Sequence, residues 1–199
     1  MKIILVIIAV FFNFSCLFSQ DKWELEKQKD NVSVYLRKAA NSNIKETKAF
    51  TVINAPMQSI CDVIKDGDEY KNWVDQISYS KKLKETGNVT FIYYCLKLPI
   101  GFKNRDLVLK TTTENINKTS IKLTVESAWK SYPEQSKYLR IKEAGGYWLL
   151  NEVQKGKTEV TYQFHVDPGG NIPSWLVNLF IVDGPFDTMK NLRAKFHKK

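Results

Sequence analysis

Asp167-Pro168-Gly169-Gly170-Asn171-Ile172-Pro173-Ser174-Trp175-Leu176-Val177-Asn178 reads as the end of a strand, a Gly-Gly turn and a helix started by Pro173. Proline suits a first helical position because its missing N–H would have had no partner there. Upstream, Tyr93-Tyr94-Cys95-Leu96-Lys97-Leu98-Pro99-Ile100-Gly101-Phe102-Lys103-Asn104-Arg105-Asp106 reads as a strand, a Pro/Gly turn and a returning strand opened by Asn104-Arg105-Asp106. Outward from these two segments, strand patterns dominate. They predict strands over 23–29, 32–38, 44–53, 77–85, 89–98, 105–115, 120–129, 138–142, 147–153 and 158–167. One helix is predicted after Pro56, with Met57, Ile60, Cys61 and Ile64 at helical spacing and Gly67 at its end, and a short helical turn follows around Tyr70 and Trp73. Breaks are expected at Gly87-Asn88, Pro99-Gly101, Asn115-Asn117, Tyr132-Pro133, Gly145-Gly146 and Gly156. An antiparallel meander with helices at its end and a closing C-terminal helix belongs to the α+β class.

The two quoted segments, in this order, resemble the START (steroidogenic acute regulatory related lipid transfer) family. The resemblance extends from Trp23 to Phe196 and is similar in detail to the branch that carries phosphatidylcholine. It implies a helix-grip fold, a curved antiparallel β-sheet wrapped around a long C-terminal α-helix, and it makes that helix the lid of a lipid tunnel.

How apolar residues fall on the strands sharpens the expectation. Alternation places Phe91, Tyr93 and Cys95 on one face of their strand, Leu107, Leu109 and Thr111 on one face of the next, and Leu123, Val125 and Trp129 on one face of a third. Tyr162 and Phe164 share a face of the last strand, opposite the polar Thr161, Gln163 and His165. Strands of this kind bury one side and wet the other. The helix, read from Pro173 to about His197, is apolar nearly all round over Trp175, Leu176, Leu179 and Phe180, and keeps an apolar stripe at Phe186, Met189, Leu192 and Phe196. Gly184-Pro185 is expected to kink or break it. With only this helix to cover so large a sheet, an apolar hollow is expected between them, lined by the residues named. Ile100, Phe102 and Lys103, an apolar tip with a cation beside it, are the expected membrane contact.

Lys2, the apolar run from Ile3 to Phe12 and the segment ending at Ser19 read as a secretory signal peptide; a retained anchor needs about 20 apolar residues, and Asn13 interrupts this run. Lipidation of Cys16 is a third reading, in a context lacking the small residues such a site prefers. Loss of residues 1–19 leaves 180 residues, the size of one domain, with 29 Lys+Arg against 21 Asp+Glu. That basic excess favours anionic surfaces, but the lysines are spread along the chain, so no nucleic-acid patch is expected. The expected localisation is therefore outside the cytoplasm, as a monomer. Cys61 and Cys95 are expected to be buried free thiols.

No catalytic constellation stands out. There is no nucleophile elbow and no phosphate-cradling glycine loop, and the two histidines, His165 and His197, lie on a polar strand face and in the tail. No metal or cofactor is expected, since His165-Val166-Asp167 offers too few ligands. Arg105-Asp106 has two readings, a contact to an anionic head group or a structural knot tying the turn after Phe102 to a neighbouring loop.

Matched onto the family, Cys95 takes the position of an acid and Thr111 that of an arginine which meet inside the cavity in many members. The resemblance thus implies an uncharged cavity, which favours a neutral lipid with one hydroxyl or carbonyl over a phosphate, for which a buried arginine is the usual partner. The expected function is binding, and transfer between membranes, of a lipid or other apolar molecule without chemistry. A helix-grip enzyme acting on a hydrophobic substrate and an interaction module with a filled core are the alternatives.

Overall fold

The computed structural model describes residues 22–197, so the signal-peptide reading of 1–19, Cys16 and the end of the basic tail lie outside the described residues. The strands are β1 (Glu24–Lys29), β2 (Val32–Ala39), β3 (Ser42–Ile53), β4 (Ile77–Thr86), β5 (Val89–Leu96), β6 (Arg105–Asn117), β7 (Ser120–Ser127), β8 (Leu139–Arg140), β9 (Glu143–Gln154) and β10 (Lys157–Asp167). They form one sheet in the order β1-β2-β3-β10-β9-β7-β6-β5-β4, with β8 running parallel to the start of β6. Every other pairing is antiparallel. Between β3 and β4 come α1 (Met57–Lys65) and a 3-10 turn over Gly67–Asn72. Met57, Ile60, Cys61 and Ile64 are the buried face of α1, at the spacing the sequence predicts.

The sheet curves around the C-terminal helix, the helix-grip arrangement of the α+β class. That helix is α2 (Ser174–Asn178), a π-helical turn over Leu179–Asp183 and α3 (Gly184–Ala194), which packs across β2 and β3. The expected kink at Gly184-Pro185 takes the form of the π turn. The Gly184 N–H bonds to the Leu179 carbonyl, five residues back. Pro185 has no N–H for the Ile181 carbonyl four residues before it, and the Thr47 hydroxyl of β3 donates to that carbonyl instead, at 2.6 Å. The chain therefore continues as one widened helix.

Two expectations about strand ends are corrected. Gly145-Gly146 is no break: both residues lie within β9, paired with β7 and β10. A Cβ on Gly146 would fall 2.0 Å from the Gln163 carbonyl oxygen, so this register admits only glycine. The strand predicted to reach Trp129 ends at Ser127.

The main core lies between the concave sheet and the helices, with Val34, Leu123, Leu150, Val160, Met189 and Leu192 fully buried. A second, smaller cluster covers the opposite face of β5 and β6, where Tyr93, Cys95 and Val108 pack against Leu83, Tyr132 and Tyr138. Cys61 and Cys95 are free and buried, and burial pushes the Cys61 thiol up to about 11.

Candidate functional site

The two segments from which the fold was read meet in space. Arg105 donates through Nε to the Pro168 carbonyl at 3.0 Å and through Nη2 to the Gly169 carbonyl at 2.9 Å, and it also holds the Lys103 carbonyl. Gly169 and Gly170 turn with φ of +65° and +72°, a left-handed path that glycine follows without strain, and the Asp167 carboxylate accepts the Gly169 N–H at 2.8 Å. Asn104 closes its own turn by accepting the Leu98 N–H at 2.8 Å. The structural reading of Arg105-Asp106 is the observed one, with the knot made to the carbonyls of Pro168 and Gly169.

Asp106 points the other way. Its two oxygens accept from Nε and Nη2 of Arg140, each at 2.9 Å, and one also accepts from the Tyr93 hydroxyl at 3.1 Å. Arg140 spends its remaining donors on the carbonyls of Trp129, Tyr132 and Pro133. This buried pair pins the loop between β7 and β8 over the convex face of β5.

Beneath the C-terminal helix lies a cavity of about 110 Å³. Leu107, Leu109 and Thr111 of β6, Val125 of β7 and Tyr162 and Phe164 of β10 form part of its wall, as the sequence predicts, and Leu179 and Phe180 of the π turn close it. The β5 contribution is Ile92, Tyr94 and Leu96, the opposite parity to the expected Phe91, Tyr93 and Cys95. Register explains the correction: Tyr94 pairs with Leu107 and Ile92 with Leu109, and cross-strand partners share a face. Tyr93 and Cys95 sit on the convex side, where the Cys95 thiol donates to the Tyr93 hydroxyl at 3.3 Å. Cys95 and Thr111 thus face opposite sides of the sheet and do not replace a charge pair across the cavity.

The remaining predicted residues sort by depth. Leu123, Leu176 and Met189 are completely buried without reaching the cavity wall. Trp129 lies in the loop after β7, between the ammonium groups of Lys130 and Lys142 at 4.9 and 4.8 Å. Trp175 does not line the cavity; it is half-exposed, its ring 5.7 Å from that of Phe102 in an edge-to-face contact. Ile100, at the tip of the same turn, is fully exposed, and Lys103 is exposed beside it.

Residues that alternation did not point to complete the cavity. Tyr70 and Trp73 come from the 3-10 turn and the residue after it, and Trp148 from β9. They join Tyr162 and Phe164 in a run of aromatic contacts: Trp73 to Trp148 at 6.3 Å, Trp148 to Tyr162 at 4.3 Å, Tyr162 to Phe164 at 5.4 Å. Tyr70 bonds the Ile64 carbonyl at 2.7 Å, and burial pushes the Tyr70, Tyr94 and Tyr162 hydroxyls far above their ordinary range, so all three stay neutral. Asp75 and Gln76, in the loop before β4, bring the wall an acid and an amide. Desolvation holds the Asp75 carboxyl above the usual range, an effect that Gln76 partly offsets and that the nearby charges of Asp187 and Asp183 reinforce. Among the described residues, no lysine, arginine, histidine or cysteine lines the cavity. His165 faces a separate polar groove with Arg37, Glu46 and Glu143.

Comparison with known proteins agrees with this geometry. A profile described as START domain matches residues 15–199. The chain is 32% identical over 194 residues to an uncharacterised protein of Pseudomonas aeruginosa, covering 98% of this chain and 96% of the other. It is 28% identical over 187 residues to the phosphatidylcholine transfer protein of Mus musculus, covering 89% of this chain and 86% of the other. Among solved structures, that of a STAR-related lipid transfer protein fragment from Xanthomonas axonopodis superposes with a TM-score of 0.82 at 31% identity, covering 89% of this chain and 100% of that one.

Proposed function

The chain belongs to the START domain family, and from that premise we propose that it holds one neutral, largely apolar lipid beneath its C-terminal helix and passes it between membranes without chemistry. The observation that carries this reading is the cavity itself, aliphatic and aromatic on nearly every side and covered by the π turn; a separate exposed patch, where Ile100 and the Phe102–Trp175 contact stand beside Lys103, supports a membrane contact. A transfer role comes from the relatives whose names carry it, one of them a phosphatidylcholine transfer protein. The choice of a neutral lipid comes from the wall, whose described residues offer a phosphate no cation.

At about 110 Å³ the cavity is smaller than the ~150 Å³ that accepts a benzene ring, so a whole lipid enters only if the lid moves outward. Each buried methylene contributes roughly 0.8 kcal/mol, and a sixteen-carbon chain on the order of 12 kcal/mol before ordering costs, so release belongs at a membrane and not in water. Among the described residues, Asp75 stands in the wall without a histidine or cysteine beside it, which supports binding over catalysis. We further propose export with removal of residues 1–19, a monomeric carrier, and a membrane surface in place of nucleic acid as its transient partner.

The test is to extract the purified protein with organic solvent and identify what is released by mass spectrometry, then to rank lipids by displacement of a fluorescent ligand. Recovery of one neutral lipid per chain is expected. Phosphatidylcholine outcompeting sterol-like, acyl-ester and isoprenoid lipids at equal concentration would contradict the choice of ligand.

A further inference from the structure

We propose that Asp75 sets the head-group preference of the cavity, admitting an amphiphile whose polar end donates a hydrogen bond and turning away one that ends in a carboxylate or phosphate. The inference rests on the lipid-binding reading above and names the chemistry of the ligand within it. Asp75 stands on the cavity wall next to the helix: its backbone N–H donates to the Thr188 hydroxyl at 3.1 Å, and its Oδ2 lies 3.9 Å from where a Cβ on Gly184 would be. The carboxylate therefore sits against the π turn, beside the element that must move to admit a ligand.

No lysine or arginine among the described residues pairs with it; the cation nearest in kind, Lys27, is held by Asp183 at 2.7 Å. The groups around it are Gln76, Thr188 and the acids Asp183 and Asp187, whose charges repel it. Gln76 already donates to the carboxylate from its side chain and its backbone, but an ionised carboxylate has about four lone-pair sites and donates none, so a half-buried one with no cation has room for a further donor brought from outside. A hydroxyl or an ammonium supplies that donor. An ester brings only acceptors, and a carboxylate or phosphate adds a like charge in a partly dry site.

The experiment uses four probes with the same sixteen-carbon chain, hexadecanol, hexadecylamine, methyl palmitate and palmitic acid, each displacing a fluorescent long-chain alcohol from the full chain. The alcohol is expected to bind at least about tenfold tighter than the acid, the equivalent of one pKa unit of differential interaction, with the ester between them. Asp75→Asn, which keeps the shape and removes the charge, is expected to bring alcohol and acid within about threefold of one another, and Asp75→Ser to do the same. The amine separates the two donors: amine above alcohol in the wild type, with that order lost in Asp75→Asn, identifies charge pairing as the larger contribution, and amine level with alcohol identifies the hydrogen bond. An alcohol-to-acid ratio unchanged by both variants, or acid bound as tightly as alcohol by the wild type, overturns the inference and leaves the lipid-binding reading standing. Failure of all four probes and of the fluorescent alcohol to bind overturns both.

Discussion

The hydroxyl of Thr47 donates at 2.6 Å to the carbonyl of Ile181, in a buried setting, and so fastens β3 to the π turn of the C-terminal helix. Pro185 has no N–H to give that carbonyl from the usual position four residues on, and the threonine hydroxyl supplies a donor from the sheet. Thr47→Val preserves shape and removes the donor, so it is expected to cost about 1–3 kcal/mol. The measurement is a lower urea midpoint at unchanged slope, accompanied by faster lipid exchange from a loosened lid.

Gly184 holds the other side of the same turn. In a straight helix, Gly→Ala stabilises by about 1 kcal/mol. Here the added Cβ would lie 2.6 Å from the Leu179 carbonyl oxygen, and backbone has little room to yield. Gly184→Ala is therefore expected to destabilise by about 1–3 kcal/mol in thermal or urea unfolding. A gain in stability would mean that the segment relaxes to an ordinary α-helix.

The Asp106–Arg140 pair, with side chains 1% and 2% exposed, is expected to respond very differently from the exposed Lys110–Glu126 pair. Asp106→Asn leaves a buried guanidinium without its counter-charge and is expected to cost about 3–5 kcal/mol. Glu126→Gln is expected to change stability by less than about 1 kcal/mol. Limited proteolysis adds a local readout, because Arg140 is what holds the carbonyls of Trp129, Tyr132 and Pro133, and cleavage in that loop should accelerate in Asp106→Asn alone.

Phe102, in the turn before β6, touches Trp175 of α2, and joining them should hold the C-terminal helix in place. Cysteines at both positions, bridged by a reducible bis-maleimide, are expected to slow transfer between vesicles by about tenfold or more, with reduction restoring it. Buried Cys61 and Cys95 are poor competitors for the reagent. Unchanged transfer by the bridged form, with the bridge confirmed by mass, would make the helix a fixed wall.

Most of the fold was legible because its signals are local. One-sided strands such as β7 and β10 alternate cleanly, Pro56 and Pro173 mark helix starts, and Gly169-Gly170 marks a turn no other residue pair makes as easily. The face of β5 was illegible for a physical reason: the loop pinned by Arg140 buries its convex side too, so Tyr93 and Tyr94 are equally apolar to the eye, and only the pairing of Tyr94 with Leu107 decides between them. Gly145-Gly146 misled because two glycines signal a turn and a close backbone approach alike. Asp75 carries no sequence signal at all, since a lone acid before a strand is ordinary until the C-terminal helix folds back against it.

The central claim is that the cavity beneath the helix is where the lipid resides, and Leu109→Trp tests it most directly by filling the space from β6 while leaving the exposed patch around Ile100 unchanged. Binding is measured as lipid per chain after incubation with vesicles containing a neutral lipid and re-isolation, with folding checked by circular dichroism. The wild type is expected to take up about one lipid per chain and the folded variant to lose most of that uptake, because the indole occupies from β6 the space into which an alkyl chain enters when the helix moves outward. Equal uptake by the two proteins would contradict the account and place the lipid, if bound, somewhere else on the molecule.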